Sequence, residues 1–390
     1  MDIYGTELLK VNDNLEDFKQ NLEFHFSEVL EQPFSKPRWI YISLSHDCTY
    51  KCRMCGVVKI LKGLELPKEL VLKALDEISQ WQSDSVIMFT GGEPFLRKDI
   101  FDLIDYSVKK SLKTEVVSNG SLIDGKLSEK IIASGLQNIA ISLDGVTEVT
   151  HDFIREKNAF IKATKAIKNL VQAKKKLGKN TQISAWTTIM KENIKELSDI
   201  IYLANDLGVE CLVYHPVIVA QDDMQNTSPD APFWIRENDL EILKDQIDKI
   251  VEYKNKYGLV PFLHDPYLWI NYFESSLNKD KWKCNPFVFI NIGPDGEVRS
   301  CGSAFGNLKE MNLEQCLDTK DAFQARRLMK NCKKPCLQTC WAHPESDDLT
   351  KIAEVFINNI KAQVNKKRLL HSALKILKNY EEVLLNYNND

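Results

Sequence analysis

The chain reads as an α/β protein: a partial (β/α)6 barrel of the TIM type, followed by a small C-terminal α+β domain. Three observations lead there. Six short apolar segments alternate with helix-patterned stretches from residue 38 onward. Polar, glycine-containing motifs follow several of those segments directly, where parallel sheets carry their chemistry. A cysteine-bearing segment near the C-terminus then breaks the alternation with the signature of a hairpin. The 390 residues, 44% of them apolar, are enough for two domains and a sizeable core.

Taken in order, residues 1–37 form a lead-in with Pro33 and Pro37 and a single helix pattern over Leu15–Leu30. The strand candidates are Trp39–Leu44, Ser85–Thr90, Thr114–Ser118, Asn138–Leu143, Gln182–Ile189 and Glu210–Val217. Each is short, rich in Val, Ile, Leu or Thr, and bounded by Gly, Ser, Asn or Asp. Helices fill the gaps. Pro67 can open one, with Leu70, Val71, Ala74, Leu75, Ile78 and Trp81 as its apolar stripe. Ile100, Phe101, Ile104, Val108 and Leu112 form the next stripe, and Phe160, Ala163, Ile167, Leu170 and Val171 a later one. Lys162, Lys165, Lys168 and Lys175 lie opposite this last stripe and read as a solvated face. Six β-then-α units imply a parallel sheet, and six rather than eight a barrel open on one side.

The barrel spans 38–225 and a helical linker 226–283, with a helix pattern over Glu237–Tyr257. The aromatic run Pro261–Phe273 can line a substrate cavity or dock two domains; docking is the simpler reading, because aromatic rings mostly supply buried area. The cysteine-bearing domain covers 284–345, and a helix-patterned tail covers 346–390.

Several classes are disfavoured. A net charge of −4 gives no electrostatic case for nucleic acid as a partner. No apolar run approaches the roughly 18 residues of a membrane span. The mixed, acidic N-terminus shows no secretory signal, so the expected location is cytoplasmic. In a reducing compartment, clustered cysteines among the ten present read as metal ligands and not as disulfides.

The first cluster is Cys48, Cys52 and Cys55, a C-x3-C-x2-C spacing directly after the first strand. Three thiolates on one short loop can bind three irons of a cubane and leave the fourth iron open, whereas such clusters usually take four cysteines. A zinc knuckle is the alternative. The second strand ends in Thr90-Gly91-Gly92-Glu93-Pro94. Two glycines let the backbone approach a ligand closely, and a carboxylate beside them can accept hydrogen bonds from an ammonium group. The third strand ends in Ser118-Asn119-Gly120 and the fourth in Ser142-Leu143-Asp144-Gly145. Of these, Asn119-Gly120 reads as a plain turn.

The triplet and the G-G-E-P motif resemble the radical S-adenosylmethionine (SAM) superfamily. The resemblance implies a [4Fe–4S] cluster on Cys48, Cys52 and Cys55, whose open iron is chelated by SAM. It implies that Glu93, with Gly91 and Gly92, holds the methionyl amine, and that Ser118, Ser142 and Asp144 contact the ribose and carboxylate. Asp152-x-x-Arg155 resembles the family's D-x-x-R, which makes Arg155 a partner of the methionyl carboxylate, with a surface ion pair as the alternative. Met54 stands where the family usually has an aromatic residue near the adenine; its adaptable side chain suits the same role.

Near the C-terminus, Cys284 precedes an alternating run, a Pro294-Asp295-Gly296 turn and Cys301; Cys332, Cys336 and Cys340 follow. The turn brings Cys284 and Cys301 together. Soft thiolates suit zinc and iron–sulfur groups alike. The pattern resembles the SPASM/twitch extension of the same superfamily, which implies a C-terminal iron–sulfur domain. Too few cysteines remain for two four-cysteine clusters, so one auxiliary [4Fe–4S] cluster is expected, with Cys284, Cys301, Cys336 and Cys340 as ligands and Cys332 able to replace one. Cys316 reads as a core thiol. Cys211 shares a strand face with His215 and, if that face points into the barrel, becomes a candidate hydrogen-atom donor to a substrate radical.

The expected function is therefore reductive cleavage of SAM and hydrogen abstraction from a substrate, with electrons from a flavodoxin or ferredoxin. The absence of a separate peptide-recognition domain favours a small molecule of sugar or aminocyclitol type, to be oxidised, epimerised or coupled. A ribosomal peptide or protein side chain is one alternative, and an iron–sulfur electron carrier without radical chemistry another.

Overall fold

In a computed structural model of the chain, the described residues are 35–59, 63–81, 85–218, 233–259, 265–274 and 286–331, together with Glu23, Phe24, Ser27, Pro33 and Leu337. Six parallel strands run in sequence order: β1 (Trp39–Ser43), β2 (Val86–Thr90), β3 (Lys113–Ser118), β4 (Asn138–Ser142), β5 (Gln182–Ile189) and β6 (Cys211–Pro216). Every one of the six strand candidates is found within two residues of its expected ends. The sheet is not closed: among the described residues β6 pairs with β5 alone, and the other edge lies beyond β1. Mixed α/β architecture around an open parallel sheet is the predicted fold class.

Six helices, α1 (Lys68–Ser79), α2 (Ile100–Lys109), α3 (Gly125–Ala133), α4 (Glu148–Ile154), α5 (Ala159–Leu177) and α6 (Leu197–Leu207), fill the crossovers. Their apolar stripes meet the outward side chains of the sheet, among them Ile40, Ile42, Ile87, Phe89, Val116, Ile139 and Ile183, in one core. α1 buries Val71, Ala74, Leu75 and Ile78 there, and each of its three larger side chains contributes about 2 kcal/mol in gross burial. Lys162, Lys165, Lys168 and Lys175 of α5 are exposed, as a solvated face requires. α5 and α6 stop at Gly178 and Gly208, whose φ angles of 60° and 79° suit glycine and turn the chain toward the next strand.

The inward face has a different character. The strand register places Cys211 beside Ser184, Val213 beside Trp186 and His215 beside Thr188, all on the side away from the helices.

The C-terminal hairpin is not a separate layer. β7 (Phe289–Ile292) pairs in parallel with β1, from Trp39–Phe289 to Ile42–Ile292. β8 (Glu297–Ser300) and β9 (Ser303–Asn307) follow antiparallel, giving a nine-stranded sheet of order β6-β5-β4-β3-β2-β1-β7-β8-β9. The P-D-G hairpin is as expected; β9 and the pairing to β1 are new. The helix expected over Glu237–Tyr257 is a short 3-10 turn followed by α7 (Leu240–Tyr257). The aromatic run contributes α8 (Leu268–Phe273), which packs against the barrel: Trp269 lies 5.7 Å from Tyr214 of β6, and the Trp234 indole donates to the Phe273 carbonyl at 2.9 Å. α9 (Leu313–Leu317), with Cys316 fully buried, and α10 (Lys320–Lys330) complete the described elements. The domain limits expected at 225/226 and 283/284 and the tail from 346 lie outside the described residues; of the helix expected over Leu15–Leu30 only Glu23, Phe24 and Ser27 are described, and all three are helical.

Candidate functional site

The C-terminal ends of β1 to β4 meet at one place. β1 continues to Leu44, whose N–H donates to the Thr90 carbonyl at 2.9 Å, and the cysteine loop then starts. The loop after β2 is laid directly on it: Gly92 N–H donates to the Ser45 carbonyl at 2.8 Å, and Glu93 N–H to the Asp47 carbonyl at 2.7 Å. This contact explains both glycines. A Cβ on Gly91 would stand 2.3 Å from the Ser45 oxygen, and one on Gly92 1.9 Å from the Asp47 oxygen. The close approach read from the sequence is real, but it is made to the cysteine loop and is complete before any ligand arrives.

Glu93 is 2% exposed, yet its carboxylate is well served. Oε1 accepts from the Ser118 hydroxyl at 2.9 Å and from Phe95 N–H at 3.2 Å, and Oε2 accepts from Asn119 N–H at 2.9 Å. Burial outweighs these bonds and pushes its carboxyl up to about 7. An ammonium group docked against it would restore the charged form. Asn119 is the residue the sequence reading missed. Besides capturing Glu93 through its backbone, it donates through Nδ2 to Cys48 Sγ at 3.5 Å and to Thr49 Oγ1 at 3.0 Å. One residue thus ties the carboxylate site, through its backbone, to the cysteine loop, through its side chain, and an Asn-Gly pair carries no signal of this.

Cys48, Cys52 and Cys55 are free thiols of intermediate exposure. Each is an electrostatic neighbour of the other two; burial raises Cys48, and burial pushes Cys52 up to about 12 with Arg155 opposing. Among the described residues no three His, Cys, Asp or Glu side chains converge on a point that would suit a single ion. A zinc knuckle needs such convergence; a cubane needs each thiolate to meet a different iron. A metal group here must also displace the protons that burial holds on Cys48 and Cys52. The donor set, the buried carboxylate and the clasp between their loops fit a three-cysteine cluster with SAM.

Ser118 spends its hydroxyl on Glu93 and accepts from Gly120 N–H at 3.0 Å. Ser142 is 7% exposed at the end of β4, level with Trp186. Asp144 is completely buried, and both its oxygens are used: Oδ2 accepts from Arg155 Nε at 2.6 Å and Oδ1 from Thr188 N–H at 2.8 Å. The alternative of a surface ion pair for Arg155 is thereby replaced by an interior one. Its partner is Asp144 and its side chain is 11% exposed. Met54 is half-buried against the core.

Cys211 does face inward, but it opens β6 and so sits at the end of the sheet opposite the triplet, packed with Val213, Trp39 and Trp186. That placement removes the geometric basis for its acting beside SAM. His215, two steps further, lies against Trp186 with ring centroids 4.8 Å apart. Cys301 occupies the β8–β9 turn with φ 48°. Because β8 runs antiparallel to β7, with Arg299 opposite Asn291, this turn lies at the end where β1 begins, again opposite the triplet. Cys284, Cys332, Cys336 and Cys340 lie outside the described residues.

The sequence pattern of the radical SAM superfamily matches residues 42–204, which hold the triplet, Glu93, Asn119 and Arg155. Residues 42–204 are a radical SAM domain. Among curated proteins, the chain is 29% identical over 198 residues to the Fe-coproporphyrin III synthase of Methanosarcina barkeri, covering 50% of this chain and 47% of that one. It is 30% identical over 112 residues to the PqqA peptide cyclase of Granulibacter bethesdensis, covering 28% and 30%. The match thus spans about half the length, or less, of these curated relatives. Among solved structures, Streptococcus suis SuiB bound to S-adenosylmethionine superposes with a TM-score of 0.59 at 14% identity, over 77% of this chain and 73% of that one. This likeness shows a shared fold that extends past the radical SAM domain. Among the described residues no helix is long and apolar enough to cross a membrane.

Proposed function

We propose that this protein is a radical SAM enzyme in which Cys48, Cys52 and Cys55 hold a [4Fe–4S] cluster and Glu93 receives the SAM ammonium. The observation that carries the reading is the Asn119 bridge, which fixes the Glu93 carboxylate and the Cys48 sulfur in one unit. When bound there and reduced by a flavodoxin or ferredoxin, such a cluster would supply the electron for reductive cleavage of SAM and so for hydrogen abstraction from the substrate. The chain's own part is positional. The glycine clasp fixes the spacing between the sulfurs and the carboxylate, Ser118 holds the Glu93 carboxylate in place, Ser142 at the end of β4 is the remaining candidate for the ribose, and Arg155 has terminal nitrogens for the methionyl carboxylate. One auxiliary [4Fe–4S] cluster is proposed on the C-terminal cysteines. With Cys301 at the end of the sheet opposite the triplet, its part would be to relay electrons and not to bind SAM.

For the substrate, a peptide side chain is the leading reading, supported by a relative named as a peptide cyclase. A tetrapyrrole side chain is the second, supported by the relative named as an Fe-coproporphyrin III synthase. No comparable support stands behind a sugar or aminocyclitol. The test is anaerobic reconstitution with iron and sulfide, then dithionite and SAM. The wild type is expected to release 5′-deoxyadenosine and Cys55→Ala to release none; a loaded wild type that releases none refutes the radical reading. Deuterated candidate peptides and iron coproporphyrin, scored by deuterium in 5′-deoxyadenosine, separate the two substrate classes.

A further inference from the structure

Arg155 is held more elaborately than a ligand-binding cation requires. It caps the C-terminus of α4, and its Nε is bound by Asp144 at 2.6 Å. Asp144 is itself fixed at every polar atom. Its N–H donates to His151 Nδ1 at 3.0 Å, its carbonyl accepts from Asn193 Nδ2 at 2.9 Å, and Oδ1 accepts from Thr188 N–H at 2.8 Å. The backbone then sets the direction in which the guanidinium points. Arg53 N–H donates to the Ile154 carbonyl at 2.9 Å, which lays residues 52–53 alongside 154–155. Arg155 accordingly has Asp144, Cys52 and Cys55 as its charge neighbours, while its terminal nitrogens have no hydrogen-bond partner among the described residues. The ion pair is buried beside two of the three sulfurs, and at Cys52 its cation outweighs its anion.

We propose that Arg155, held by Asp144 as a positioning residue, sets the reduction potential of the group bound by Cys48, Cys52 and Cys55. The inference rests on the reading that these cysteines hold an iron–sulfur cluster. Adding an electron to a cluster makes it more negative, and a fixed cation beside its sulfurs stabilises that state far more in a buried site than in water. Asp144 opposes, but at Cys52 its charge counts for less than that of the guanidinium, so the cation prevails. This role precedes SAM binding and is separate from any contact with the methionyl carboxylate.

The test is potentiometry of the anaerobically reconstituted full-length chain without SAM. The cluster is followed by the electron paramagnetic resonance signal that changes when SAM is added afterwards, which distinguishes it from any second cluster. Arg155→Met is expected to lower the midpoint potential, and Arg155→Lys to stay between Met and the wild type. Asp144→Asn, which keeps an acceptor for Thr188 but removes the negative charge, is expected to raise it. Mere loosening of the site would move both replacements in one direction, and that result overturns the proposal. So does an unchanged potential in Arg155→Met at full iron content. If Arg155→Met does not load iron, Arg155→Lys and Asp144→Asn decide by the same signs. A wild type with no SAM-responsive signal would instead defeat the cluster reading itself, and this inference with it.

Discussion

At Glu93, burial and hydrogen bonding pull in opposite directions and burial wins, leaving a carboxyl near neutrality that an ammonium would ionise. Below about pH 7 SAM must displace a proton to bind, so its affinity falls about tenfold per pH unit. Equilibrium dialysis under anaerobic conditions is expected to show SAM binding about tenfold weaker at pH 6 than at pH 8. Glu93→Gln is expected to bind weakly at both pH values; a flat profile in the wild type would contradict the assignment. Individual residues were legible where chemistry is written in side chains: three cysteines, two glycines and a glutamate. They were illegible where a backbone group does the work. Asn119 reads as half of a turn because its decisive donor is an N–H that every non-proline residue has. His151 lies unmarked in a helix, and only the fold reveals that its Nδ1 takes the Asp144 N–H.

Among the elements, β7 has the largest consequence for the site, because β1 leads straight into the cysteine loop and β7 covers its open edge. Ile292 is completely buried. Ile292→Ala is expected to cost about 3 kcal/mol in unfolding free energy and to lower the iron retained per chain, measured by urea titration and iron content. Loss of stability with full iron content would show that β7 does not steady the loop. The six barrel strands could be read from sequence because each is bounded by turn residues and followed by an amphipathic helix. The pairing of β7 with β1 could not. A parallel contact between residues 39–42 and 289–292 depends on which edge the barrel leaves free, and no local pattern encodes that. For the same reason the C-terminal segment reads as a domain apart, although its hairpin extends the barrel's own sheet.

For the molecule as a whole, three deeply buried groups among the described residues shape the metal-free protein's response to mild acid. Burial holds His151 and His215 neutral down to about 4, against about 6.5 in the unfolded chain. The unfolded state therefore takes up their protons first, and stability is lost as pH falls from 6.5 toward 4. Glu93 has the opposite sign. Its carboxyl is raised to about 7, so the folded state takes up that proton first and gains stability as pH falls from 7 toward 4.5. Each group changes stability by about 1.4 kcal/mol per pH unit within its window. Two histidines against one glutamate leave a net loss of about 1.4 kcal/mol per unit on acidification, and Glu93→Gln is expected to roughly double that slope. Urea midpoints of the metal-free protein between pH 6.5 and 4.5 would show it; equal slopes would mean that Glu93 titrates normally. The central position of β1 also matters before the molecule is complete. A ribosome makes β1 first and its neighbour β7 some 245 residues later, a delay of roughly 10–50 s at 5–20 residues per second. Throughout that interval the nascent barrel carries a bare strand margin beside three unmetallated thiols, open to mispairing with other chains, so metal insertion and chaperone protection are best timed to the arrival of the hairpin.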